Sequence, residues 1–326
     1  METKIYNFED TLIAQDVFYG GNAGAKEAII HDNSIWMIKY PKITRDMINP
    51  QISYTTSPLS EYLGSKIYEL MGHPVHEVLL GVRKGKLVVA CKDFTRIPDA
   101  FFAGLIPFHD LKNSFMSTDL DKYSGTGSET FLDEVLATIN GEKTLQKIEG
   151  TLERFWDMFV IDAFIGNNDR NNGNWGVFKP WMKGTIQTTS NQIINLSGEL
   201  SLAPIYDNGN AFFNKRSLKQ MSVRLIDEVL MQDDAYKAPR CVYKYSAIEH
   251  EGSIINPFKF ISDNQNVDCY AAVIRFLAQV DMKKIAELIN GIPEAHGVIG
   301  VMPDVQKEFY LRLLEMRLEK LREVVE

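Results

Sequence analysis

Apolar and polar positions change rhythm about a third of the way along the chain. Up to residue 94, short runs rich in β-branched residues alternate with turn formers. Residues 27–31 and 34–40 read as two strands joined at Asp32-Asn33, a pair that tolerates the dihedrals of a tight turn. Residues 78–82 and 86–91 repeat the plan around Arg83-Lys84-Gly85. Between the two hairpins, Leu63, Ile67 and Leu70 recur at helical spacing, with Ser57 placed to cap, Pro58 in the first position and Gly72 to close. The expectation is a strand-rich first lobe holding a single helix.

Beyond Asp99 the period lengthens. Residues 115–129 are polar and glycine-bearing and read as a surface loop, after which 131–139 and Thr151–Ile165 read as helices. The second of these carries Leu152, Phe155, Trp156, Phe159, Val160, Ala163 and Phe164, apolar on nearly every side, which predicts burial. Residues 268–280, 283–288 and 305–325 are further helices, the last with Tyr310, Leu314, Leu318, Leu321 and Val325 as a core-facing stripe. The fold class predicted is α+β, with a strand-rich lobe over residues 1–94 and a mainly helical lobe over 95–326.

Composition narrows the function. Of 326 residues 45% are apolar, and 43 acidic against 35 basic side chains give a net charge of −8. Non-specific nucleic-acid binding depends on clustered Lys and Arg, so no nucleic-acid partner is expected. No apolar run approaches the ~20 residues of a membrane span. The first residues lack the basic-then-apolar order of a cleaved signal, which predicts synthesis in the cytoplasm. Cys91, Cys241 and Cys269 are too scattered for a zinc site or a disulfide framework.

The unusual chemistry lies in residues 166–178, which read Gly-Asn-Asn-Asp-Arg-Asn-Asn-Gly-Asn-Trp-Gly-Val-Phe. Alone, this is equally an Asx-rich turn. A calcium loop starting at Asn168 fails, since its third and twelfth ligand positions are Arg170 and Lys179. Residues 203–212 add a second candidate around Asp207. Asp169 and Asn174 five residues apart, followed by a strand and Asp207, match the parts of phosphoryl transfer. One Asp handles the acceptor hydroxyl, while an Asn and another Asp hold Mg²⁺ against phosphate oxygens. Lys39 ends a strand, as a phosphate-reaching lysine must, and Glu61, in the first turn of the lone helix, is its candidate partner. Each of the two has an ordinary reading, a strand-edge lysine and a helix-start carboxylate. The glycine loop 20–26 could bring backbone N–H groups to phosphate, but it fits neither dinucleotide-binding nor Walker spacing.

In this order the segments resemble the HipA-like serine/threonine protein kinases. The likeness rests on Ala23-Gly24-Ala25-Lys26-Glu27, Trp36-Met37-Ile38-Lys39-Tyr40-Pro41, Ser60-Glu61-Tyr62, residues 164–169 with Asn174, and residues 202–207. The resemblance implies a two-lobed kinase fold using ATP and Mg²⁺ on protein substrates. It implies Asp169 as the catalytic residue and Asn174 and Asp207 as metal ligands. For nucleotide it implies Gly21, Asn22, Ala23, Gly24, Ala25, Lys39, Glu61, Lys92, Phe94, Asn171 and Tyr206, with adenine on backbone groups of 92–94. It further implies autophosphorylation and, from a secreted proinflammatory branch of the family, action in host cells. Two positions depart from the pattern. Gly21 stands where toxin members carry a phosphorylated Ser, and Gly173 stands where the catalytic loop often has Lys, with Arg170 as the candidate stand-in. The rival readings are a small-molecule kinase of aminoglycoside type and a kinase-like interaction module without activity.

Overall fold

The computed structural model describes residues 2–20, 25–45, 52–97, 100–101, 103–118, 126–181, 184–187, 193–196, 198–246 and 252–326. Five strands, β1 (Tyr6–Asn7), β2 (Lys26–His31), β3 (Ser34–Lys39), β4 (Val78–Arg83) and β5 (Lys86–Lys92), form one sheet in the order β1-β4-β5-β3-β2. Both hairpins lie where the alternation put them, and Asp32, Asn33 and Lys84 take positive φ in their turns. Helix α1 (Ser57–Leu70) crosses one face of the sheet. The opposite face closes on Phe8, Ile29, Trp36, Ile38 and Val88.

Helix α1 differs in detail from its sequence reading. Thr56 is the N-cap and makes no side-chain capping bond, so Ser57 is already helical. Glu61 therefore lies beyond the first turn, and the helix dipole does not account for it. Leu63 and Ile67 are buried while Leu70 is 41% exposed. Gly72 closes the helix with φ +79°, as its placement predicted.

The helical part is built on α2 (Phe108–Met116), α3 (Leu132–Gly141) and α4 (Thr151–Ile165), followed by helices Leu218–Ile226, Glu228–Gln232, Pro257–Ser262, Val267–Gln279, Met282–Asn290 and Asp304–Arg322. Helix α2 occupies the start of the stretch read as loop, and residues 119–125 of that stretch lie outside the described residues. Helix α4 is the axle. Phe155, Trp156, Phe159, Val160 and Phe164 are buried, and their cluster runs without interruption into Leu63, Ile67 and Tyr68 of α1 and Phe309, Leu313 and Leu314 of the last long helix. A three-stranded sheet, Ala103–Pro107, Gly176–Pro180 and Ser201–Leu202, carries the loops that follow α4.

Gly166 ends α4 in the left-handed region at φ +72°, where only glycine is free of strain. A Cβ there would lie 2.7 Å from Nη1 of Arg317, whose guanidinium is buried and bonded to the Phe164 carbonyl. Gly166→Ala is therefore expected to lower unfolding free energy by about 1–3 kcal/mol. The urea midpoint measures it, and an unchanged midpoint would show that Arg317 yields without cost.

Candidate active site

Strand β3 delivers Lys39 to a cavity of about 770 Å³, within the size range of a small-molecule site. Its ammonium lies 2.8 Å from Oε2 of Glu61 and 2.9 Å from Oδ1 of Asp207. Glu61 is fully buried, and its other oxygen is 3.0 Å from Nε2 of His76, which in turn lies 3.3 Å from Oγ of Ser65. Burial opposes charge on both partners, yet the balance favours it. Asp207 and Glu61 hold Lys39 well above the ordinary lysine range. Lys39 and the His76 contact hold Glu61 far below the usual carboxylate range. The sequence pairing of Lys39 with Glu61 is thus observed as an ion pair.

The loop after α4 brings in the remaining groups. Both oxygens of Asp169 accept hydrogen bonds, from the side-chain amides of Asn171 (3.0 Å) and Asn210 (3.1 Å). Asn174 donates its amide N–H to the Asp169 carbonyl at 2.6 Å, which leaves the amide oxygen for another partner. Asn171 also accepts from the N–H of Gly173 at 2.9 Å, so both ends of its amide are engaged within the loop. Tyr206 donates its hydroxyl to the Gly173 carbonyl at 2.9 Å. Asp207 takes φ +61°, an uncommon conformation for a non-glycine residue and one concentrated at functional sites. Asp169, Asn171, Asn174, Tyr206 and Asp207 line the same cavity as Lys39.

Arg170 does not supply a cation to this cavity's phosphate side. It is 2% exposed and pairs with Asp162 of α4 at 2.8 Å. It also donates to the carbonyls of Asn174 and Tyr206 and to Oδ1 of Asn208. Burial works against its charge, but Asp162 and the side-chain bonds raise its pKa above the arginine range. Its role is to brace the loop, which removes it as a stand-in for a lysine at position 173.

Lys92 and Phe94 also line this cavity. The Phe94 ring lies 6.1 Å from that of Tyr206 and 6.2 Å from that of Phe178, an apolar wall suited to a flat ring. The backbone N–H groups of Lys92 and Asp93 already donate to Glu77 and Ile35 carbonyls, so neither is available to a base. The Lys92 ammonium turns away to Glu77 at 3.0 Å. Ala25 is exposed and its carbonyl accepts from Tyr40 N–H. Gly21, Asn22, Ala23 and Gly24 lie outside the described residues.

The donor set suits a hard divalent cation. A carboxylate on Asp207 and an amide oxygen on Asn174 are oxygen ligands of the kind Mg²⁺ accepts alongside phosphate and water. Sequence reasoning missed four groups on which the site leans: His76, Asp162, Asn208 and Asn210. Asp162 had a signal, a carboxylate inside the apolar run that closes α4, Met158 to Ile165. Asn208 and Asn210 stand in the polar run after Asp207. His76 has no local signal, because its partner is fifteen residues away on another element.

No protein-family model matches the chain. The serine/threonine-protein kinase CtkA of Helicobacter pylori strain J99 is 32% identical over 309 residues, covering 94% of this chain and 83% of that protein. The crystal structure of a Helicobacter pylori proinflammatory kinase CtkA matches with a TM-score of 0.81 at 28% identity, over 98% of this chain and 97% of the other. HipA of Shewanella oneidensis, solved with HipB and operator DNA, matches with a TM-score of 0.51 at 10% identity, over 96% and 67%. At that identity the likeness to HipA is one of fold.

Because Glu61 titrates far below its unfolded value, its contribution to stability is complete above the normal carboxylate range. That contribution is lost only as pH falls toward the depressed value. Glu61→Gln is expected to cost about 3 kcal/mol at neutral pH by stranding buried charge, and to flatten the acid limb of stability against pH. Urea titrations between neutral and acid pH test both; an unaltered acid limb would dismiss the ion pair as a stabilising element.

Proposed function

The chain belongs to the CtkA family of HipA-like serine/threonine-protein kinases, and from that membership we propose how its own residues perform the transfer. The reaction is passage of the ATP γ-phosphoryl group to a Ser or Thr hydroxyl of a protein. The observation that carries the reading is Lys39, held between Glu61 and Asp207 in the cavity that Asp169 and Asn174 also line.

ATP lies between a lobe of residues 1–94 and a lobe of residues 95–326, with adenine against Phe94 and the phosphates toward Lys39. Asp207 and Asn174 would hold Mg²⁺, which would supply positive charge to offset that of the phosphate oxygens. Lys39 adds a second cation at the same place, kept ionised by its two carboxylates. Asp169 orients the acceptor hydroxyl and receives its proton as the oxygen–phosphorus bond forms and ADP leaves. Asn171 and Asn210 keep that carboxylate in one rotamer. Transfer of this kind needs little covalent help, so fixed geometry and charge carry most of the rate.

We extend the reading to autophosphorylation and to release toward host proteins. The proinflammatory description of the similar crystal structure supports the host-directed part, and autophosphorylation is carried by the likeness to the kinase family alone. No helix among the described residues is long and apolar enough to cross a membrane.

Asp169→Asn is expected to abolish transfer from labelled ATP while leaving the circular-dichroism spectrum and urea midpoint in place. Wild-type transfer by that variant would remove Asp169 from the chemistry. Lys39→Ala is expected to lower kcat/KM for ATP by about a hundredfold, measured where the variant is still folded. Unchanged nucleotide kinetics would take Lys39 out of the phosphate site.

A further inference from the structure

A second cavity, of about 330 Å³, adjoins the first. Asn210, Asn214 and Lys215 line both, so they form the wall between them. Asn210 donates to Asp169 Oδ2 at 3.1 Å and Asn214 donates to Asn210 Oδ1 at 3.1 Å. A chain seated in the second cavity would thus lie beside the Asp169 carboxylate without entering the nucleotide's space. Its other walls come from the end of α4, Asn167 and Asn168 of the following loop, and the segment around residues 239–243.

The charge of this cavity is out of balance. Arg170, Lys215, Arg216, Arg240 and Arg317 all line it, against one lining carboxylate, Asp162, which Arg170 already engages. Just outside, Asp234 serves two arginines at once, Arg216 at 2.8 Å and Arg224. Arg317 is 1% exposed and bonds only backbone carbonyls, those of Ala235, Phe164 and Asp234. Exposed Arg240 likewise bonds the carbonyls of Ala238 and Pro239. No carboxylate among the described residues forms an ion pair with Lys215, Arg240 or Arg317. Burial pushes the Arg317 guanidinium down to about 9 and lowers that of Arg216 in spite of its bond to Asp234, so the one carboxylate that Arg216 shares with Arg224 does not offset the burial of these cations. In a chain of net charge −8, so local an excess of cations calls for an anionic occupant.

We propose that this cavity is the acceptor-recognition site, and that it selects protein segments with Glu or Asp within a few residues of the phosphorylated Ser or Thr. The acceptor role rests on the kinase reading above, whereas the charge preference does not. An acidic side chain seated among Arg216, Arg240 and Lys215 gains charge-assisted hydrogen bonds and relieves the repulsion among them. A basic segment adds to that repulsion and is rejected.

The test uses the full chain and three short fluorescein-labelled serine peptides, flanked by Glu, by Ala or by Lys. Fluorescence anisotropy without nucleotide should show the Glu peptide binding at least about fivefold tighter than the Ala peptide, and the Lys peptide weakest. Arg240→Glu should erase or reverse that order, and Arg240→Gln should fall between. In transfer assays, Arg240→Glu should raise KM for the Glu peptide and leave KM for ATP unchanged. Equal affinities, no binding to any peptide, or an equal effect of Arg240→Glu on all three would overturn the site. Charge-selective binding without any transfer by the wild type would uphold the cavity and remove the kinase reading instead.

Discussion

One guanidinium joins the segments that make this site. Arg170 reaches Asp162 on α4, the carbonyl of Asn174, the carbonyl of Tyr206 and the side chain of Asn208. The amide of Asn208 donates on to Ser65 of α1 at 3.0 Å, and from Ser65 the contacts run through His76 and Glu61 to Lys39. Lys39 then returns to Asp207, next in sequence to Asn208. The result is a closed polar circuit through the loop after α4, the strand after it, the lone helix of the sheet and the sheet itself. Buried groups joined in this way polarise one another, and each costs heavily if its partner is lost. The positions of Asp169, Asn174 and Asp207 are therefore set by one network and not by three separate loops.

The same network explains which parts could be read in advance. Strands and helices were legible where their signal is local: the two hairpins, Thr151–Ile165 and the last long helix follow from alternation or period. Helix α2 starts at Phe108 behind Pro107, whose side chain cannot cap it, so the sequence carries no capping signal for its start. Helix Leu218–Ile226 does have a capping box, Ser217 with Gln220, a local signal that the sequence carries. Lys39, Glu61, Asp169, Asn174 and Asp207 were legible because each sits in a short characteristic stretch. His76 and Asn208 were not, because their partners lie on other elements, fifteen or more residues away in the chain.

Arg170 shows how sequence proximity can mislead. It stands next to Asp169, and a missing lysine three residues on made it the obvious replacement. Its side chain runs the other way from the Asp169 carboxylate, however, into the interior. Asp162 lies there, a buried carboxylate to which Arg170 brings the opposite charge at 2.8 Å. The cations that do face open space belong to Lys215 and Arg240, in a segment whose chemistry no motif announces.

Helix α1 is held from both sides. One face lies on Val78, Leu80 and Val89 of the sheet, and Tyr68 sends its hydroxyl to Asp162 at 2.8 Å. Gly64 is so close to Asn208 that a Cβ there would approach to 2.7 Å. Swinging α1 outward, which would part Glu61 from Lys39, would expose Leu63, Ile67 and Tyr68 at about 1.5–3 kcal/mol each. An on–off lever of that kind is too costly to work in this molecule. The ammonium therefore stays clasped between its two carboxylates in the resting form, and α1 serves as a fixed wall of the cavity and not as a moving part.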